Sequence, residues 1–189
     1  MSRGIQHLYA TLPATYIVGG TADTTVETVF HTVGGTTKTG GYITVPAGTC
    51  NVGDYWEGFA LLDVTGQNST DTLDLALYLG PTADPTTGLK LVDYAALDAA
   101  TTAKALRFSL VCELPGTVSV CRFSYGGLSW NTAATALSQT IAATGADAQL
   151  STLVENVFAC TATWSVSHAD NIVRMRAFHV IKYPALPSV

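Results

Sequence analysis

The chain has 189 residues, 48% of them apolar and only 12% charged, and a net charge of −5. Such a length suits one domain with a real core, and so apolar a composition excludes intrinsic disorder. Nine basic residues scattered along an acidic chain exclude nucleic-acid binding through phosphates, which needs a basic patch.

No run approaches the roughly 18 apolar residues of a membrane-spanning helix. The first ten residues lack the apolar stretch of a secretory signal, so the expectation is a protein made and folded in a cytoplasm, with no membrane partner. A surface this poor in charge must be covered by Thr, Ser, Asn, Gly and small apolar groups. It suits lasting contact with neighbours, because little charge means little repulsion between copies.

Residues 1–20 are expected to form an N-terminal arm with a short strand at Ala14–Val18. Ile5, Leu8, Tyr9 and Leu12 would be poor residues to leave in water, so the arm is expected to dock on a neighbour. Residues 21–189 are expected to form one β-sandwich domain. Thr24–Val33 is rich in β-branched residues and reads as a strand. A Gly-rich loop follows, then a short strand, Tyr42–Val45, stopped by Pro46. Pro46–Asp54 reads as a turn and corner, in which Pro fixes φ and Gly48 and Gly53 admit left-handed backbone. A long strand, Asp54–Thr65, and a polar turn at 66–71 lead into the cleanest alternation in the chain. Leu73, Leu75, Leu77 and Leu79 share one face there, and Thr72, Asp74, Ala76 and Tyr78 the other. A period of two over eight residues excludes a helix and predicts one dry face, with the other wet or at an interface.

Residues 80–104 are expected to be a long loop with a short strand at Leu89–Val92 and a helical turn or two over Asp93–Ala103. Strands 105–114 and 117–125 should be joined by a Pro115-Gly116 turn, and Gly126-Gly127 should bend the chain. A short strand at Thr140–Ala143 interrupts the loop 131–155. The chain closes with a hairpin. Phe158, Cys160, Ala162, Trp164 and Val166 share one face of its first strand, Ser167–Asn171 forms the turn, and Ile172–Lys182 returns. In the return strand Val173, Met175, Ala177 and Ile181 share a face with His179. Phe178 and Val180 share the other with Arg174 and Arg176. A bulge near Arg176 would switch the inward set. With eight or nine strands and almost no helix, the fold class is all-β, an antiparallel two-sheet sandwich of jelly-roll type.

The chemistry-bearing residues form no recognised catalytic constellation. His7, His31, His168 and His179 have no ligand spacing to one another or to a cysteine, so no metal is expected. Asp63, Asn68 and Asp71 bracket one loop and have the oxygens for Ca²⁺, but in β loops such residues make Asx turns. Asp54, at a strand start, should bond loop amides. Glu57 and Asp63 share one face of a strand about 20 Å apart, too far to cooperate as a hydrolytic pair. No nucleophile elbow or phosphate-binding glycine loop is present, so neither an enzyme nor a cofactor is expected. Cys50, Cys112, Cys121 and Cys160 should be buried free thiols. The diagonal separation expected for Cys112 and Cys121, roughly 7–8 Å, is too long for an easy disulfide. Tyr42, Tyr55, Trp56, Tyr94, Tyr125 and Trp130 are expected in the core or at subunit interfaces, with a sugar-stacking face as the alternative.

Three stretches carry a family resemblance: Pro46-Ala-Gly-Thr-x-x-x-Gly53-Asp54, Asn68-Ser-Thr-Asp-Thr-Leu-x-Leu-x-Leu-Tyr-Leu-Gly80 and Ala162-Thr-Trp164-Ser-x-Ser-x-Ala-Asp-Asn171. Over roughly residues 24–182 the chain resembles the small jelly-roll virion proteins of tailed bacteriophages, the capsid decoration (cement) proteins and head- or tail-fibre domains. The resemblance implies a structural virion protein, a homotrimer reinforcing the head shell through the major capsid protein, with no catalytic residue. The alternative is a tail- or fibre-associated domain that binds host glycans or another virion protein.

Overall fold

The computed structural model describes residues 7–11, 16–20, 27–32, 41–68, 70–81, 88–98, 103–117, 120–133, 136–151 and 153–185. The described part is all strand, turn and bend. The strands are β1 (His7–Thr11), β2 (Tyr16–Gly20), β3 (Thr28–Val29), β4 (His31–Thr32), β5 (Tyr42–Val45), β6 (Tyr55–Gly66), β7 (Thr72–Gly80), β8 (Leu89–Asp98), β9 (Ala103–Thr117), β10 (Val120–Ala133), β11 (Ala136–Ser151), β12 (Asn156–Trp164) and β13 (His168–Tyr183).

These strands form two antiparallel sheets. The larger runs β11-β10-β9-β6-β13-β2-β4, with β1 also on β13; the smaller runs β3-β12-β7-β8, with β5 also on β12. The pairings nest. β2 pairs with β13, β3 and β5 with β12, β6 with β9, and β7 with β8. One antiparallel ribbon is thus folded over on itself, which is the jelly roll, and the β10–β11 hairpin is an addition between β9 and β12.

The core lies between the sheets because the strands alternate. On β6 the even residues Trp56, Ala60, Leu62 and Val64 are buried, the odd ones from Tyr55 to Asp63 are half-buried and Thr65 is exposed. On β7, Leu73, Leu75, Leu77 and Leu79 are at most 2% exposed, as the alternation predicts. Phe158 stacks on Phe108 at 5.1 Å and tilts against Trp56 at 5.8 Å. Each such side chain contributes about 1.5–3 kcal/mol from apolar burial, an upper figure since unfolded chains already bury part of it.

β13 carries the bulge expected near Arg176. Met175 lies opposite Leu62 and Ala177 opposite Leu61, so Arg176 is the extra residue. Val173 and Met175 point inward before it, and Phe178, Val180 and Lys182 after it. The outer face of β7 is wet at Asp74 but covered at Ala76 and Tyr78. The Tyr78 hydroxyl donates to Glu27, 2.8 and 2.9 Å from its two carboxylate oxygens, and the Thr161 hydroxyl donates to Glu27 Oε1 at 2.8 Å.

Several expectations are corrected. The strand expected over Thr24–Val33 is split at Phe30, with β3 in the small sheet and β4 in the large one. Phe30 is fully buried at the crossing. The helical turn expected from Asp93 is strand instead, with Tyr94 opposite Leu75 and Leu97 opposite Leu73, because the exposed edge of β7 offers a ladder. The strand β9 runs through Pro115-Gly116 to Thr117, opposite Val120, so those residues are not the turn. Cys112 therefore faces Phe123. Gly126-Gly127 continue β10, and the stretch expected to be mostly loop forms β11. Val166 lies beyond the end of β12 and is exposed. The described parts of residues 1–20 are β1 and β2, both paired to β13 of the same chain. Expectations on residues 21–26, 33–40 and 99–102 lie outside the described residues.

Candidate functional site

The outer face of the large sheet is an ordered grid. Register across β13, β6 and β9 sets His179, Phe59 and Arg107 in one row. Ile181, Glu57 and Ser109 make the next, and Tyr183, Tyr55 and Val111 the third. All come from alternate positions pointing away from the core. A groove of about 390 Å³ opens here, lined by Glu57, Gly58, Phe59, Ala105, Arg107 and His179.

Glu57 is the polar centre. The Tyr183 hydroxyl donates to Oε1 at 2.8 Å, Arg107 to Oε2 at 3.0 Å and the Tyr55 hydroxyl to Oε2 at 3.4 Å. The Tyr183 hydrogen bond is the main reason that the carboxyl is held below its ordinary value, with Arg107 adding to it. The same bond raises Tyr183, while Tyr55 is raised first by burial and then by Glu57. The Tyr55 and Tyr183 rings lie 5.5 Å apart, and Phe59 and His179 are also 5.5 Å apart. These three rows therefore combine aromatic rings with the Glu57 carboxylate and the Arg107 guanidinium, each held in place.

The Pro46–Asp54 corner sits at the end of the sandwich where β6 begins. Gly48 and Gly53 have φ of 74° and 83°, the left-handed backbone expected of them. Asp54 accepts from the amides of Asn51 (2.8 Å) and Ala185 (2.9 Å), so it does bond loop amides. It also takes the Lys182 ammonium at 2.7 Å, both side chains nearly fully buried. Lys182 also donates to the Thr49 carbonyl and lies 5.6 Å from the centre of the Trp56 ring. At this same end Val52, Val111, Leu153 and Val154 are 39–69% exposed.

At the opposite end Asp71 accepts from the side-chain amides of Asn171 (2.9 Å) and Asn68 (3.3 Å), and Asn171 Oδ1 accepts from the Asn68 amide at 2.8 Å. These residues knit the 66–71 turn to β13. Asp63 is bound to Arg176, with Nε at 3.1 Å, apart from Glu57 and its own partners. No group of three or more His, Cys, Asp or Glu side chains converges as a metal site among the described residues.

Of the aromatics singled out above, Tyr55 lies on the outer face, Trp56 in the core and Tyr42 against Val29, Val157 and Ala159. The side chains of Tyr94, Tyr125, Trp130, Cys121, His7 and His31 lie outside the described part. Cys50, Cys112 and Cys160 form no disulfide; Cys112 and Cys160 are buried as expected, whereas Cys50 is only half-buried. Sequence reasoning did not assemble Phe59, Arg107, His179 and Tyr183 around Glu57. Only the register between three strands distant in sequence brings them together.

No protein-family model matches the chain, and no curated protein does. Some solved structures are similar to it. A GH43 glycoside hydrolase engineered for both endo-xylanase and exo-arabinofuranosidase activity is 12% identical, with a TM-score of 0.39 over 95% of this chain and 41% of that one. The structure of infectious bursal disease virus Gt strain is 11% identical, with a TM-score of 0.35 over 96% of this chain and 33% of that one. The CBM2 module of the evolved Dit of Lactobacillus casei BL23 phage J-1 is 9% identical, with a TM-score of 0.29 over 78% of this chain and 70% of that one. The chain thus spans less than half the length of the first two. At these scores none of the likenesses bears on function.

Proposed function

We propose that this chain is a non-enzymatic structural protein of a phage virion, a decoration or cement protein that oligomerises and reinforces the head shell. The support is the apolar rim at one end of the sandwich. Asp54 and Lys182 there are turned inward onto each other, while Val52, Val111, Leu153 and Val154 face outward, with Glu155 the exposed charge beside them. An exposed apolar rim with so few charges around it fits burial against another copy or a shell. A stable contact there would cover above roughly 1,000 Å².

Size-exclusion chromatography with light scattering on the whole chain tests the reading. The expected result is a stable trimer that Leu153→Glu with Val154→Glu converts to folded monomer. A wild-type monomer across the micromolar range, with no retention on capsid shells, would count decisively against it. The second reading, a tail- or fibre-associated domain that holds glycans, is favoured by the groove around Glu57.

A further inference from the structure

We infer that the groove on the outer face of the large sheet is a binding site for a neutral saccharide, held by Phe59, Glu57, Arg107 and His179. This builds on the second reading above, but it requires neither a virion nor an oligomer. A pyranose ring has a face of C–H groups and a rim of hydroxyls. The groove offers a matching pair of surfaces. Phe59 and His179 give a wall of two rings in contact, Phe59 its apolar part, and Ala105 is too small to fill the floor. Aromatic rings contribute to such sites through area and ring electrostatics.

The polar side of the groove selects the class of ligand. Glu57 is an acceptor and Arg107 a fork of donors, and they are joined at 3.0 Å. Two adjacent hydroxyls bridge such a pair, one donating to the carboxylate and the other accepting from the guanidinium. Arg107 remains 51% exposed and so retains N–H groups for a ligand. Glu57 has two oxygens with about four lone-pair positions, of which its three donors occupy three. Because the Glu57 carboxylate already pairs with the Arg107 guanidinium, that cation is not left over to attract an anion. That argues for a neutral sugar over a uronate, a sialoside or a phosphate. The tyrosine hydroxyls of Tyr55 and Tyr183 fix Glu57 before any ligand arrives, which lowers the ordering cost of binding.

The test applies the full-length chain to an array of neutral gluco-, galacto-, manno- and N-acetylglucosamine oligosaccharides beside sialylated, uronate-containing and phosphorylated ones. The strongest neutral binder is then titrated calorimetrically. Binding to at least one neutral class is expected, weakened about tenfold or more by Phe59→Ala and by Arg107→Gln. Arg107→Gln is the control for folding, since the side chain is half exposed. Preference for the acidic or phosphorylated probes, no binding to any neutral probe, or neutral binding indifferent to both substitutions would each overturn the assignment. None of these outcomes touches the light-scattering test of assembly.

Discussion

Trp164 shows what one residue contributes. It is fully buried, and its indole N–H finds no hydrogen-bond partner among the described residues. Trp164→Ala should cost about 3–5 kcal/mol through lost contacts and a cavity. Trp164→Phe should cost clearly less, because it also removes an unsatisfied buried donor. Urea unfolding of both variants checks the order, and equal losses would show that the N–H does find a partner. Two titrating groups make predictions of opposite sign. The folded carboxyl of Glu57 lies below its ordinary value of 4.5, so its contribution is complete above that pH and is lost as pH falls through the lower folded value. The wild type should lose melting temperature more steeply below pH 4.5 than Glu57→Gln does. Tyr78 is pushed up to about 12, mainly by burial. Its contribution is complete below the ordinary value of 10 and is lost as pH rises toward 12. Tyr78→Phe should therefore flatten the alkaline fall in melting temperature. Burial also raises the Cys160 thiol, so Cys160 should resist alkylation in the native state and react on unfolding, as mapped by mass spectrometry.

The corner before β6 is the element most exposed to a single change. Asp54→Ala should cost about 3–5 kcal/mol, because it leaves the buried Lys182 ammonium without its carboxylate. Asp54→Leu combined with Lys182→Met should be milder than either alone, and a double-mutant cycle in urea measures the difference. If the losses simply added, the pair would be acting as two independent groups. Elements also show what could be read in advance. β7 was legible to the residue, since its four leucines at a spacing of two leave no alternative. The bulge at Arg176 was legible too, since Met175 and Phe178 cannot share a strand face without one extra residue between them. β8 was not. Asp93–Asp98 has the alanines of a helix, and only the edge of β7 makes it a strand. Pro115-Gly116 carries turn chemistry, yet the hairpin closes after Thr117 because the ladder to β10 extends past it.

For the whole molecule, the decisive quantity is how the surface charge is arranged. Arg107, Arg176 and Lys90 lie beside Glu57, Asp63 and Asp93, and Lys182 is buried on Asp54. These charges are paired within the chain, so copies that meet through the apolar rim should associate with little dependence on salt. Light scattering at 50 mM and 500 mM salt should return the same oligomer. Dissociation at high salt would place ion pairs, not apolar side chains, in the contact. The sequence by itself determined the two-layer β architecture, the dry leucine face, the left-handed glycines and the scarcity of charge, because each is a local matter of period, φ or composition. Only the tertiary structure decided which sheet each strand joins and that Glu57, Phe59, Arg107 and His179 meet. Those depend on pairings between residues about 50 to 120 positions apart. Over that span no pattern in the neighbouring residues records which strand will lie alongside.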